Sequence, residues 1–363
     1  MSGGGEKHPP RAYTHPMSGS FAARTWVGTS LGGRYSLEEL VEETATTTTF
    51  HAVDTRVGRQ VAVCVLRPGL GASSAAGRRL EREARMSATI GHPNVREATD
   101  MGALEDGTPF VVTELLAGET LDDDIRVQGA HPIGAALDLT LQILSGLSAA
   151  HARGLVHGAL RPEHVFLVRR LGCAPLVKLT AFGEDLSVPL TDRSGPGAHY
   201  LAPEQIRGGN LSTDVRTDVY AAGFIAYELL TGMRPFTAPD AASLFEEILG
   251  APLRDPQALR PDLAPTVAGL VYRAMRREPR DRFQTAEEMQ RAIRAAQAQA
   301  DSDGAYSLRT VLTTGEYDAA PPQRLRTSQK TLENWDDETE VAESDHAPLS
   351  SAGEQTVTIV RPR

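Results

Sequence analysis

The stretch from Val156 to Leu167, VHGALRPEHVFL, decides the fold of this chain. An amphipathic segment, residues 135–153, precedes it and predicts a helix that stops at Gly154. The pattern then predicts a turn at Arg161–His164 and a short buried strand at Val165–Val168. A long helix therefore delivers the chain into an extended loop, and a buried strand anchors the end of that loop.

This stretch resembles the catalytic loop of protein kinases, whose pattern is H-R-D-L-K/R-P-E-N. The residues that match this pattern are His157, Leu160, Arg161, Pro162 and Glu163. Gly158 replaces the arginine, Ala159 stands at the position of the catalytic base, and His164 stands at the position of the magnesium-binding asparagine. The resemblance implies a loop that has kept its framework and lost its reacting groups.

Further motifs of the family follow in the family's order. Ala202–Glu204 matches the A-P-E motif, and Asp218–Gly223 matches the central-helix motif, whose aspartate braces the catalytic-loop backbone. Arg282 matches the arginine that pairs with the glutamate of A-P-E, here Glu204. The resemblance covers residues 34–298, and the sequence of this region is most similar to bacterial serine/threonine kinases.

The hydrophobic pattern divides this region into two parts. Apolar residues alternate between residues 35 and 65 and predict antiparallel strands, whereas nearly everything after residue 120 is typical of helix. Composition alone indicates an α+β fold. The resemblance implies a bilobal protein-kinase fold with a small β-rich N-lobe at 34–116 and a larger helical C-lobe at 117–298.

The two ends of the chain have a different composition. Residues 1–33 are rich in Gly, Ser, Pro and His and predict a flexible leader, while residues 299–363 predict a disordered, acidic tail rich in Thr and Ser. Thr331–Ser350 holds acidic residues around Trp335 and no Lys or Arg, which is typical of a solvated tail or of a docking segment.

Composition also limits the function. The net charge of −10 over 363 residues argues against a nucleic-acid partner. Two cysteines make no disulfide framework, and we find neither an apolar run of membrane length nor the apolar core of a signal peptide. We therefore expect a soluble, cytoplasmic protein.

The nucleotide-binding parts of the family are altered in the first strands. The segment Glu42–Thr49, at the position of the glycine-rich loop, contains no glycine, and its threonines favour an ordinary hairpin over a phosphate cradle. Cys64 stands where the family has its phosphate-binding lysine, so Glu83 has lost that partner. We interpret Cys64 as a buried, inert thiol, with a reactive thiol as the alternative. Arg59 or Arg82 could pair with Glu83.

No replacement for the lost lysine is evident. Lys178 is the only lysine between residues 34 and 298, and it belongs to a different strand. The metal motif D-F-G is Ala181-Phe182-Gly183, so its aspartate is missing while Phe182 can still pack on His157. We expect no magnesium site and no zinc site.

These losses together predict a pseudokinase, a kinase-fold protein without phosphotransfer that acts as a scaffold or allosteric regulator. Two alternatives stay open: a sensor that binds ATP without metal, and a serine/threonine kinase with a non-standard site. The residues of the candidate ATP pocket are Ala62, Thr113, Glu114 and Leu116.

The expected partners are proteins, with no nucleic acid and no membrane span. An active serine/threonine kinase is one candidate partner. A forkhead-associated domain is another, because Thr339 and Thr356 are candidate phosphorylation sites and Ile359 lies three residues after Thr356.

Overall fold

The computed structural model describes residues 25–169, 172–183, 196–208 and 213–302. These residues belong to one compact unit, 1–312, and the second unit, 313–363, lies outside the described part. The fold confirms the predicted bilobal architecture, with an antiparallel sheet followed by a helical lobe.

A six-stranded antiparallel sheet forms the N-lobe, in the order β1-β2-β3-β4-β6-β5. The strands are β1 (Ser30–Leu31), β2 (Tyr35–Glu43), β3 (Thr47–Asp54), β4 (Arg59–Leu66), β5 (Ala98–Ala103) and β6 (Pro109–Glu114). Side chains of β3 alternate between buried and partly exposed, as the period of a strand requires. Helix α1 (Ala75–Ile90) crosses from β4 to β5; Ser74 caps its start, and Gly91 ends it in the left-handed region.

In the described residues, the C-lobe contains a small sheet and eight α-helices. Its strands are β7 (Gly118–Thr120), β8 (Val165–Val168) and β9 (Leu176–Leu179). Its helices are α2 (Leu121–Gln128), α3 (Ile133–His151), α4 (Pro203–Gly208), α5 (Val215–Thr231), α6 (Ala241–Gly250), α7 (Pro256–Leu259), α8 (Pro265–Ala274) and α9 (Ala286–Ser302).

Helix α5 is the centre of this lobe. Every side chain from Thr217 to Leu230 is buried, and an Asp214–Thr217 capping box starts the helix. At Gly223 an added Cβ would lie 2.5 Å from the Cβ of Ala274, so the glycine permits close packing of α8. Asp218 and Glu228 are buried on this same helix, which places two carboxylates in the core.

Ordered structure extends past the predicted domain limits of 34 and 298 on both sides. Trp26 stacks on Phe50, and the Gly28 amide donates to the Leu37 carbonyl, so the chain joins the sheet before residue 34. At the other end, α9 continues to Ser302. Among the described residues, α3 is the one helix whose length and composition would suffice to cross a membrane, and half of it is buried within the C-lobe.

A buried ion pair connects the end of the C-lobe to its middle. Arg282 donates to both carboxylate oxygens of Glu204, at 2.8 and 2.6 Å, and its other N–H groups donate to the carbonyls of Arg216, Arg276 and Arg277. All five guanidinium donors are therefore satisfied inside the protein.

We expect Arg282→Lys to lower the free energy of unfolding by about 3 kcal/mol, because an ammonium has three donors and cannot replace the five-bond fork. Denaturant unfolding measures this loss. Arg280→Lys, at an exposed arginine two residues away, serves as the control and should change stability by less than about 0.5 kcal/mol. Equal effects of the two substitutions would contradict the structural role of Arg282.

Candidate functional site

Hydrogen bonds to Asp218 of α5 hold the backbone of the loop VHGALRPEHVFL in place. The amides of His157 and Gly158 donate to the Asp218 carboxylate at 2.9 and 2.8 Å, and His151 Nε2 lies 2.7 Å from the same group. The Gly158 carbonyl in turn accepts from Gln205 Nε2 at 2.8 Å. These bonds fix the loop backbone without using any side chain at the base position.

The core of the site is a contact between three aromatic rings. The His157 ring lies 4.5 Å from the Phe182 ring, at an interplanar angle of 45°, and 5.9 Å from the His164 ring, with which it is stacked. His157 Nε2 lies 3.0 Å from the Thr180 carbonyl. The scaffold position His157 thus contacts both the motif residue Phe182 and His164.

Ala159 and His164, which stand at the positions of the catalytic base and the magnesium-binding asparagine, are hydrogen-bonded to each other. His164 Nδ1 lies 2.8 Å from the carbonyl of Ala159 and donates to it. Burial lowers the pKa of His164 well below its ordinary value, and the positive charge of Arg161 lowers it further. His164 is therefore a neutral imidazole at pH 7, and Ala159 offers only a methyl group, so neither can supply a carboxylate or amide oxygen to magnesium.

The segment that replaces the glycine-rich loop is a tight hairpin between β2 and β3. Thr44 Oγ1 accepts from the amides of Thr46 and Thr47, at 3.2 and 2.9 Å. Arg67 closes the back of the turn by donating to the carbonyls of Thr44 and Thr46. A phosphate cradle needs free amides, and here two of them already have partners within the turn.

Cys64 lies on β4, half-buried against a small apolar cluster of Leu66, Leu80, Ala84 and Val111. Burial raises the pKa of its thiol, which opposes thiolate formation at pH 7. Lys178 does not take over, because its ammonium lies 2.6 Å from the Glu114 carboxylate, at the end of β6.

Glu83 has a cationic partner, and that partner is neither Arg59 nor Arg82. Arg96 Nη2 donates to Glu83 Oε1 at 3.0 Å, and the amide of Ala181 donates to the same oxygen at 2.9 Å. Arg96 comes from the connection between α1 and β5. No spacing in the sequence predicts this pair, because only tertiary contacts bring the connection and the helix together.

The metal motif keeps its backbone shape. Ala181 has φ of 59°, the one non-glycine residue with positive φ among those described, and Gly183 follows with φ of 76°. An added Cβ at Gly183 would lie 2.7 Å from Met86 Sδ and close to Arg82, so the glycine is required for packing against α1. Glu184 and Asp185 lie outside the described residues.

The segment before the A-P-E motif packs onto the loop. An added Cβ at Gly197 would lie 2.5 Å from Arg161 Nη1, so the Arg161 side chain packs directly over this glycine. Tyr200 donates to Glu228 at 2.8 Å, and Arg234 Nε donates to the same carboxylate at 3.2 Å.

The residues of the candidate ATP pocket lie on β4, at the end of β6 and in the connection to β7. Ala62 of β4 pairs with Thr113 of β6, Thr113 is buried, and the Glu114 side chain accepts from Lys178 and from the Glu97 amide. Leu116 lies in the connection to β7. Ala62 and Leu116 are apolar, and the Glu114 carboxylate is already paired with the Lys178 ammonium.

The residues of the site do not fit a magnesium-bound triphosphate. The positions of the two metal ligands, the base and the lysine hold His164, Ala181, Ala159 and Cys64. In the described part of the chain, no three His, Cys, Asp or Glu residues are grouped so that they could hold a metal ion. The candidate phosphorylation sites Thr339 and Thr356 and the acidic segment around Trp335 lie outside that part.

Comparison with known proteins identifies the relatives. A family model of the protein kinase domain matches residues 35–292. The chain belongs to the protein kinase family. The serine/threonine-protein kinase PknA of Mycobacterium tuberculosis is 33% identical over 75% of this chain and 63% of its own length, and pkn3 of Myxococcus xanthus is 31% identical over 74% and 51%.

A solved structure agrees with this assignment. The kinase domain of Mycobacterium tuberculosis PknI is 27% identical, covers 74% of this chain and 98% of that domain, and has a TM-score of 0.56. The chain is thus related to bacterial serine/threonine kinases, and it spans about half the length of the curated relatives it matches.

The low pKa of His164 predicts a pH dependence of stability. Below about pH 6.5 the unfolded chain binds a proton at this histidine and the folded chain does not, so stability falls as the pH falls. We expect His164→Gln to remove up to about 1.4 kcal/mol per pH unit of this fall between pH 6.5 and 5.5. Urea unfolding at pH 7.5, 6.5 and 5.5 measures it, and identical slopes for the two proteins would contradict the prediction.

Proposed function

We propose that this chain is a catalytically inactive member of the protein kinase family that acts by binding other proteins, as a scaffold or an allosteric regulator. The observation that carries the proposal is the pairing of Ala159 with His164, in which the base and metal positions bond to each other. The loop around them is fully braced, so its shape serves the fold and not a reaction.

Phosphoryl transfer depends on positioned charge, and loss of one charge-stabilising group in an enzyme already costs about 10²–10³ in rate. Here the lysine, the base and both metal ligands are replaced together. The hairpin adds a further obstacle, because it has no glycine, Thr44 accepts from two of its amides, and Glu42 adds a negative charge while Glu43 is paired with Arg67. The combined effect supports the absence of catalysis.

The kinship with serine/threonine kinases suggests the kind of partner. We propose an active serine/threonine kinase, or a phosphothreonine reader of the forkhead-associated type that recognises Thr339 or Thr356. The acidic segment Thr331–Ser350 with its single Trp335 has the composition of a docking segment. A kinase partner would supply the transfer chemistry that this chain lacks.

Two measurements on the full chain test the proposal. The first is transfer of radiolabelled γ-phosphate from ATP with magnesium to the chain itself and to a generic protein substrate. The second is the thermal shift with ATP, with and without magnesium. We expect no transfer and no shift, because the site offers neither metal ligands nor a phosphate cradle.

Two other results would change the assignment. A shift with ATP alone, lost in Ala62→Phe and kept in the control Ala103→Phe at an exposed alanine of β5, would show a metal-free nucleotide sensor. Transfer that Ala62→Phe abolishes and Ala103→Phe preserves would show an active kinase and overturn the proposal.

A further inference from the structure

The carboxylate of Glu83, on α1, accepts hydrogen bonds from two donors. Arg96 Nη2 and the Ala181 amide both donate to its Oε1 atom, at 3.0 and 2.9 Å. The Glu83 side chain is 19% exposed and that of Arg96 is 32% exposed, so the pair is partly shielded from water. Cys64 contributes no charge here, so Arg96 supplies the positive charge that Glu83 requires.

Arg96 is itself fixed to the C-lobe through its backbone. Its amide donates to the Leu179 carbonyl at 2.9 Å, and the Leu179 amide donates to the Asn94 carbonyl at 2.8 Å. Val95 and Leu179 form a parallel bridge between these bonds. The connection from α1 to β5 is therefore attached to β9, two residues before Ala181.

We propose that Arg96, Glu83 and Ala181 form a latch that holds α1 against the C-lobe without any nucleotide. The arginine side chain binds the helix, the arginine backbone binds β9, and the Ala181 amide donates to the same oxygen of the helix carboxylate. All three attachments come from the chain itself. The latch thus serves the proposed binding function, because it keeps the surface that the two lobes present to a partner the same with and without nucleotide.

The latch also explains why Cys64 is tolerated. A carboxylate left half-buried without a cation would destabilise α1, and a hydrogen-bonded arginine removes that cost. Since Glu83 Oε1 already has two donors, a lysine restored at position 64 would compete with Arg96 for this carboxylate and meet its positive charge. Its effect on α1 should therefore depend on whether Arg96 is present.

Hydrogen exchange of the full chain, followed by mass spectrometry, tests the latch. We expect Arg96→Ala to accelerate amide exchange in residues 80–90 of α1 about tenfold while α5, residues 215–231, keeps its rate. Glu83→Gln should do the same, and the double variant should be no faster than either single one, because the two side chains act as a pair. Arg96→Lys should restore most of the protection.

Two further variants sharpen the test. Arg85→Ala, at an exposed arginine of the same helix, is the matched control and should leave exchange unchanged. Cys64→Lys should have little effect alone and should restore protection in the Arg96→Ala background. Unchanged α1 exchange in Arg96→Ala, or an equal acceleration in α1 and α5, would overturn the latch.

The outcome is independent of the phosphotransfer assay, although the regulatory role rests on the proposed function. A chain that transfers phosphate and still loosens α1 in Arg96→Ala would have the latch and lack the proposed function. If ATP with magnesium slowed α1 exchange tenfold in the unaltered chain, the claim that the latch needs no nucleotide would fail.

Discussion

The carboxylate of Asp218 is the interaction on which the rest of the site depends. It is buried in the first turn of α5 and accepts from two consecutive backbone amides, His157 and Gly158, with His151 as a third neighbour. Hydrogen bonds to a buried charge contribute about 1.5–3 kcal/mol each, so this group strongly constrains the loop. The loop then positions the His157 ring against Phe182, and this contact places the segment from β9 to Ala181.

Two classes of residue can be separated around this centre. Residues that brace the backbone match the family's motifs, and all five donors of one of them, Arg282, are satisfied. Residues that would touch phosphate or metal are replaced by groups that bond inward: His164 to the Ala159 carbonyl, and Thr44 to the amides of its own turn. A catalytic cleft directs polar groups outward toward a ligand, whereas here they close on the protein itself.

Sequence motifs predicted the fold and the bracing residues because the spacing of these motifs reflects local structure. A helix end, a loop and a short strand surround His157 and Gly158, which bind Asp218. The A-P-E motif likewise predicted that Glu204 pairs with Arg282. The pairing of Arg96 with Glu83 could not be predicted in this way, because it forms only when the α1–β5 connection packs on β9. Helix α9 likewise continues to Ser302, past the predicted domain limit of residue 298. Tertiary contacts determine such pairings and helix ends, and the periodicity of the sequence does not predict them.

In the proposed function, the loop from Val156 to Leu167 stabilises the fold and performs no chemistry. The free energy of unfolding of the Asp218→Asn variant tests this role most directly. The amide keeps the size of the side chain but turns one acceptor into a donor that faces a backbone N–H. We predict a loss of about 3 kcal/mol or more in denaturant unfolding, against less than about 0.5 kcal/mol for the exposed control Asp262→Asn. Equal stability of Asp218→Asn and the unaltered chain would contradict the account.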